Sequence, residues 1–177
     1  MDHLESVVKI NNLITNNFCK EVINSYKQFK LEHLATHGGL NKNQRNVLGC
    51  GVDPKKDVFD KIKKEIERLY VYYQIKFPFT ESTKINQIDL LKYEVGGKYE
   101  YHVDNYTDYS RTVSVIINLN EEYKGGDLIF TDQNKFEIKR CKLQTGSIVF
   151  FPSNFMYPHG IEPITEGTRY SIVAWLQ

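Results

Sequence analysis

The strongest constraint on the fold of this chain is a change of sequence pattern near residue 85. Beyond that point, short segments rich in β-branched and aromatic residues alternate with glycine-containing turns, a pattern typical of strands. Six strands are predicted, at residues 85–93, 112–119, 127–131, 135–139, 147–151 and 170–176. So many short strands in succession predict an antiparallel sandwich or barrel.

Before residue 85 the apolar residues recur at helical spacing in two segments. The first helix is expected to begin with Asn16 or Asn17 as its N-cap and to continue as far as Phe29. The second is expected over residues 57–73, with charges on its outer face. Helices first and strands afterwards predict an α+β fold, mainly β, with the helices packed against one face of the barrel.

Composition limits the class of protein. The 177 residues suit one domain with a sizeable core, and a net charge of +1 favours neither nucleic acid nor an anionic membrane as a partner. Cys19, Cys50 and Cys141 lie far apart, which predicts reduced thiols in an intracellular protein. With no apolar stretch of roughly 18 residues and no signal-peptide pattern, a soluble cytoplasmic protein is expected.

A segment rich in glycine and asparagine, centred on residues 37–51 and flanked by the two predicted helices, reads as a long loop. Long loops in compact domains are commonly functional or disordered. Two interpretations of residues 35–56 stay open at this point, a lid over a substrate and an ordinary mobile connection.

The sharpest local motif is His102-Val103-Asp104. On a strand, residues i and i+2 point to the same face, so an imidazole and a carboxylate could converge on a metal. His159, in a turn between two predicted strands, is the best candidate for a third donor. Two histidines and one carboxylate leave open positions that suit a non-heme Fe(II) oxygenase. The alternative is a surface histidine beside an aspartate in a turn.

The residues around these donors resemble the prolyl 4-hydroxylase-like Fe(II)/2-oxoglutarate dioxygenases. YEVGGKYEYHVD at residues 93–104 is similar to the family signature Y-x-x-G-x-x-Y-x-x-H-x-D. The segments RT at 111–112, NLN at 118–120, GGDLIF at 125–130, GSIVFF at 146–151, HGIEPI at 159–164 and GTRY at 167–170, followed by Trp175, continue the resemblance in order through residues 85–177.

The resemblance implies one domain over residues 1–177: a double-stranded β-helix, a jelly-roll or cupin-like barrel, at 85–177, supported by helices at 1–84. It implies iron ligands at His102, Asp104 and His159. Arg169, ten residues after His159, would pair with the distal carboxylate of 2-oxoglutarate, where a bidentate and always charged group is suited. The remaining expected co-substrate residues are Tyr93, Tyr99, Ser171 and Asn118. Several relatives carry tyrosine where Asn118 stands, so the second donor to the 2-oxoglutarate tail departs from the family pattern.

The activity implied is hydroxylation of a peptidyl proline with Fe(II), 2-oxoglutarate and O2, releasing succinate and CO2; a requirement for ascorbate is left open. Tyr99, Tyr101, Tyr106 and Tyr109 could form a groove for an extended proline-containing peptide. The alternatives are hydroxylation of a free amino acid or another protein side chain, and a non-catalytic cupin-like module that only binds metal.

Overall fold

The structure, a computed structural model, describes residues 3–36, 38–80, 84–105 and 110–177. Its helices are α1 (Asn16–Ser25) and α2 (Asp57–Lys76), with short 3-10 turns at His3–Ser6 and Tyr26–Gln28. Its strands are β1 (Val8–Ile10), β2 (Glu32–His33), β3 (Arg45–Asn46), β4 (Leu48–Gly51), β5 (Ile85–Tyr93), β6 (Lys98–His102), β7 (Val113–Asn118), β8 (Tyr123–Gly125), β9 (Leu128–Thr131), β10 (Glu137–Cys141), β11 (Ile148–Pro152), β12 (His159–Ile161), β13 (Ile164–Gly167) and β14 (Arg169–Leu176).

The strands form two larger antiparallel sheets that make up the double-stranded β-helix. The major sheet has seven strands in the order β1-β11-β7-β14-β5-β4-β2, and the minor sheet has five in the order β10-β9-β12-β6-β3. A two-stranded sheet pairs β13 with β8. The predicted mainly β fold is confirmed, and each of the six predicted strands corresponds to an observed one.

Two apolar cores lie on opposite faces of the major sheet, because successive side chains of a strand point to opposite faces. On β14, Ile172 and Ala174 pack with the helices, whereas Val173 and Trp175 pack between the two sheets. The helix face is buried by fully enclosed side chains such as Ile62 of α2, and each such side chain stabilises the fold by about 1.5–3 kcal/mol. The helices thus support the sheet from outside and leave the space between the sheets for a site.

The ends of the first helix differ from the prediction. The N-cap is Thr15, not Asn16 or Asn17, because Thr15 has an extended backbone and its hydroxyl accepts a hydrogen bond from the Phe18 N–H. The helix also stops at Ser25, after which a 3-10 turn replaces it. Among the described residues no helix is both long and apolar enough to cross a membrane.

The loop interpretation of the glycine-rich segment is wrong for residues 45–51. β3 pairs with β6 of the minor sheet, and β4 pairs with β5 of the major sheet. The reason is non-local: Gly49 approaches Leu90 so closely that a Cβ at Gly49 would lie 2.7 Å from the Leu90 carbonyl oxygen. The part of the chain before residue 85 is therefore more than helical support, since it adds strands to both sheets. His37 lies outside the described residues.

The three cysteines Cys19, Cys50 and Cys141 are free, as predicted. Burial raises the pKa of the Cys19 thiol to about 11. A thiol with so high a pKa is inert near neutral pH.

Candidate metal centre and its pocket

Three potential metal donors meet at one end of the space between the sheets. Ligand atoms of His102, Asp104 and His159 all lie within 4.8 Å of one another. His102 ends β6 and His159 begins β12, and the two residues are direct partners across the antiparallel pair. Backbone pairing therefore brings together two residues that are distant in sequence.

Asp104 reaches the site by a different route from the one predicted. Strand β6 ends at His102, so Asp104 does not share a strand face with it. The chain turns after the strand and brings the Asp104 carboxylate inward, where Oδ1 lies 3.4 Å from His102 Nε2 and Oδ2 lies 3.6 Å from His159 Nε2. The two residues of the His-x-Asp motif do converge, but the predicted reason, a shared strand face, is wrong.

Hydrogen bonds orient both imidazoles. The Nδ1 atom of His102 lies 2.8 Å from the Glu100 carbonyl oxygen, and that of His159 lies 3.1 Å from the Tyr157 carbonyl oxygen. Because a carbonyl oxygen only accepts, Nδ1 carries the proton in each ring. Nε2, the atom that faces Asp104, is then the ring nitrogen placed to bind a metal, as in metal-binding histidines whose other nitrogen donates to a carbonyl.

The protonation states also suit a metal. Burial lowers the pKa of His159 to about 4, so its imidazole is neutral near pH 7. Burial alone would raise the pKa of Asp104, but the two histidines and the Ser114 hydroxyl outweigh it and hold that pKa well below its usual range. Two imidazoles and one carboxylate are a donor set that fits Fe(II) with positions left open for other ligands.

A buried cation lies in the same cavity as these donors. Arg169 is only 1% exposed, yet its guanidinium nitrogen Nη2 has no hydrogen-bond partner among the described residues. Its Nε donates to Asn118 Oδ1 at 3.0 Å and its Nη1 to Ser171 Oγ at 3.2 Å, while the guanidinium carbon lies 5.1 Å from the centre of the Tyr93 ring. An unsatisfied buried guanidinium N–H is costly, so Arg169 is suited to an anionic ligand.

The other predicted residues fall into two groups. Tyr93, Tyr99 and Ser171 line the cavity directly, together with the three donors and Arg169. Asn118 does not line it; its oxygen accepts from Arg169, and its amide nitrogen donates to the carbonyl oxygen of Asn120. Asn118 therefore holds Arg169 in place from behind. Tyr106 and Tyr109 lie outside the described residues.

Sequence reasoning missed two contributors. Arg45 lines the cavity with its guanidinium 4.6 Å from the centre of the Tyr99 ring, and Tyr99 in turn stacks on His102. A two-residue strand offers no periodicity from which Arg45 could have been found. The Tyr123 hydroxyl donates to Asn118 Oδ1 at 3.1 Å, so a tyrosine from β8 supports the same oxygen that accepts from Arg169.

Several known proteins are similar to this chain in sequence. PKHD-type hydroxylases are similar in sequence: that of Gloeothece citriformis is 32% identical over 102 residues, covering 53% of this chain and 44% of the relative. That of Synechococcus sp. is 26% identical over 145 residues, covering 80% and 61%. The chain thus spans about half the length of these curated relatives.

Solved structures share the fold. A Pseudomonas putida prolyl-4-hydroxylase superposes with a TM-score of 0.80 at 19% identity, covering 99% of this chain and 96% of that one. A Trichoplax adhaerens prolyl hydroxylase, solved with a hypoxia inducible factor peptide fragment, also gives 0.80 at 18% identity, covering 99% and 86%. The family model of the 2OG-Fe(II) oxygenase superfamily matches residues 88–177. Those residues are half of the chain and contain all three donors and Arg169, and on this match the chain belongs to the 2OG-Fe(II) oxygenase superfamily.

Proposed function

We propose that this chain is an Fe(II)- and 2-oxoglutarate-dependent dioxygenase that hydroxylates a proline within a peptide, with release of succinate and CO2. The observation that carries the proposal is the joint presence, in one cavity, of a two-histidine, one-carboxylate donor set and a buried guanidinium with an unpartnered N–H. Membership of the superfamily implies Fe(II) and 2-oxoglutarate as cofactor and co-substrate.

His102, Asp104 and His159 would hold the iron through two Nε2 atoms and a carboxylate oxygen. When bound, the iron supplies O2 activation at the expense of the 2-oxo acid. The chain provides the orientation of its ligands and a dry surrounding. Apolar side chains such as Ile116 and Ile161 line the cavity beside the donors, and they limit the access of water to the reacting groups.

Arg169 would bind the distal carboxylate of 2-oxoglutarate through Nη2, the nitrogen that lacks a partner. Ser171 lies next to it, with its hydroxyl 3.2 Å from Nη1, and could donate to the same carboxylate. Tyr93 lines the cavity beside Arg169, and Tyr99 lines it beside His102.

A peptide substrate is favoured over a free amino acid by the surface around the metal donors. Strands β6, β9 and β12 end or begin at this side of the minor sheet. Two neighbouring loops there expose large apolar side chains, with Phe136 70% and Phe155 69% exposed. The loops are joined by a hydrogen bond from Gln133 to the Phe155 carbonyl oxygen. Exposed apolar residues at the mouth of a site suit an extended peptide more than a small polar molecule.

The competing proposals are hydroxylation of a free amino acid or another side chain, and metal binding without catalysis. The buried Arg169 argues against the second, because a module that only binds metal has no use for an unpaired guanidinium in the same cavity. A lid stays a prediction for the part of residues 35–56 that lies outside the strands at 45–51, and so does the cytoplasmic location.

The testing experiment incubates the protein with Fe(II), 2-oxoglutarate, O2, ascorbate and a library of proline-rich peptides, followed by mass spectrometry. A mass gain of about 16 Da, one oxygen atom, on proline is the expected result, with equimolar succinate. His102→Ala should abolish it, whereas His33→Ala, a histidine on β2 that does not line the cavity, should not. Oxidation of free proline alone would favour a hydroxylase of a free amino acid. Absence of any 2-oxoglutarate turnover would favour a module that binds metal without catalysis.

A further inference from the structure

Two buried serine hydroxyls form a chain that ends on the candidate metal ligand Asp104. Ser114 Oγ donates to Asp104 Oδ2 at 2.7 Å, and Ser114 Oγ and Ser153 Oγ are 2.8 Å apart. Ser114 is 0% and Ser153 1% exposed. Ser114 lies in β7 of the major sheet, and Ser153 directly follows β11.

The direction of the hydrogen bonds follows from proton counting. An ionised carboxylate has no proton and can only accept, so Ser114 must use its single hydroxyl proton on Asp104. Ser114 then has only lone pairs to offer Ser153, which makes Ser153 the donor to Ser114. Each bond in such a chain polarises the next, and bonds to a charged acceptor are the strong ones.

The chain matters because Asp104 has no strand to hold it. Strand β6 ends at His102, and Asp104 sits two residues further on. The Ser114 bond uses a lone pair of Oδ2 and thereby fixes the plane of the carboxylate, leaving Oδ1 without a hydroxyl donor, 3.4 Å from His102 Nε2. The backbone next to it is also tied, since the Asn105 N–H donates to the Ser153 carbonyl oxygen at 2.9 Å.

We propose that Ser114 is a positioning residue for the metal centre, with Ser153 acting through it. The hydroxyl chain holds the Asp104 carboxylate in the orientation in which it faces both histidines before metal arrives. Ser153 also starts the loop that leads to His159, so the chain couples the segments that carry two of the three donors. This inference rests on the metal centre of the proposed function. It assigns roles to two serines that the proposed function does not itself require.

A purely structural role makes a different prediction. If the two serine hydroxyls served only as hydrogen-bond partners in the protein interior, replacing Ser114 would lower the free energy of unfolding and leave the affinity for metal unchanged. A positioning role lowers metal affinity in a protein that stays folded. Partners that orient metal ligands in this way typically contribute about 10- to 100-fold in affinity.

The experiment measures Mn(II) binding to the metal-free protein by electron paramagnetic resonance, with urea unfolding of the same samples. Ser114→Ala should weaken Mn(II) binding by about 10- to 100-fold, and Ser153→Ala should weaken it less, by under about 10-fold, because Ser114 keeps its bond to Asp104. Ser114→Thr, which keeps the hydroxyl, should restore most of the affinity. Ser25→Ala is the matched control, because Ser25 is a buried serine in α1 that donates to the Val22 carbonyl oxygen.

The outcomes separate the two proposals. If the wild type binds Mn(II) and Ser114→Ala binds it within about threefold of the wild type, the positioning role is overturned and the metal centre stands. If Ser114→Ala does not fold, the comparison of Ser153→Ala and Ser114→Thr with Ser25→Ala decides in the same way. If the wild type itself fails to bind Mn(II), the metal centre is wrong and the positioning role is wrong with it.

Discussion

Replacing Arg169 by methionine should separate binding of 2-oxoglutarate from stability of the fold. In the ligand-free protein, Arg169 is a buried cation with two hydrogen bonds, one unpartnered nitrogen and no ion pair to any carboxylate of the described residues. Methionine is of similar length and carries no charge. Asn118 Oδ1 would keep a donor, the Tyr123 hydroxyl at 3.1 Å.

The expected magnitudes follow from these contacts. Loss of two hydrogen bonds costs about 1 kcal/mol each, whereas removal of a buried unpaired charge relieves a desolvation penalty of at least about 1 kcal/mol. The free energy of unfolding of the ligand-free variant should therefore fall by no more than about 1 kcal/mol. Removing one partner of a buried ion pair costs about 3–5 kcal/mol, so the affinity for 2-oxoglutarate should fall by at least about 100-fold.

Urea unfolding in the presence of Mn(II), with and without 2-oxoglutarate, measures both quantities. At a 2-oxoglutarate concentration about 100 times the wild-type Kd, the co-substrate should stabilise the wild type by about 2.7 kcal/mol. With a Kd weakened about 100-fold, Arg169→Met should gain only about 0.4 kcal/mol. Arg68→Met, the same replacement at an exposed arginine of α2, should keep the full gain.

Two results would refute this reasoning. An undiminished gain in Arg169→Met would mean that another residue binds the distal carboxylate. A loss of more than about 3 kcal/mol in the ligand-free variant would mean that Arg169 stabilises the fold as a paired charge, which contradicts its unpartnered nitrogen.

Three further predictions concern the surroundings of this pocket. In Gly160→Ala the new Cβ would lie 2.7 Å from the Tyr99 carbonyl oxygen, so the strand pair that carries both histidines must separate. The free energy of unfolding should fall by about 1–3 kcal/mol, and the affinity for Mn(II) should fall as well. Wild-type values for both quantities would contradict the close packing. Phe155→Ala should raise KM for a peptide substrate without changing the turnover of 2-oxoglutarate measured without peptide. The control is Phe79→Ala, at a phenylalanine after α2 that is 97% exposed, and it should change neither quantity. Equal effects of the two replacements would argue against a peptide at the mouth of the cavity. Burial lowers the pKa of His159 to about 4 from about 6.5 in the unfolded chain, so the unfolded state binds the proton first as pH falls. The free energy of unfolding of the metal-free protein should therefore fall by up to about 3 kcal/mol from about pH 6.5 to about pH 4. Urea unfolding across that range checks this, and a His159→Asn variant with the same pH dependence would show that another group is responsible.

The parts of the fold that could be predicted from the sequence are the segments in which apolar residues recur at a regular spacing. The two helices follow from apolar residues at helical spacing, and β5 and β14 follow from alternating residues over long runs. Arg169 and Ser171, two residues apart on β14, both line the cavity, as alternation along a strand requires. Short strands such as β3 and β12 were not predicted, because two or three residues hold no period to detect.

The candidate donors were named from sequence, but their geometry was not. His102-x-Asp104 suggested a shared strand face, whereas the structure ends the strand at His102 and turns Asp104 inward. The role of Asn118 as a support for Arg169, and the presence of Arg45 in the cavity, depend on which strands become neighbours.

The amino-acid sequence by itself determined the helical and β-rich segments and the family to which the order of its motifs points, and it indicated three candidate donors and Arg169. Only the tertiary structure decided that His102 and His159 face each other across a strand pair, that two serines hold Asp104, and that a nitrogen of Arg169 has no partner in the described part of the chain. The physical reason is that side-chain period is a property of neighbouring residues, whereas register, burial and hydrogen-bond partners arise between segments far apart in the chain.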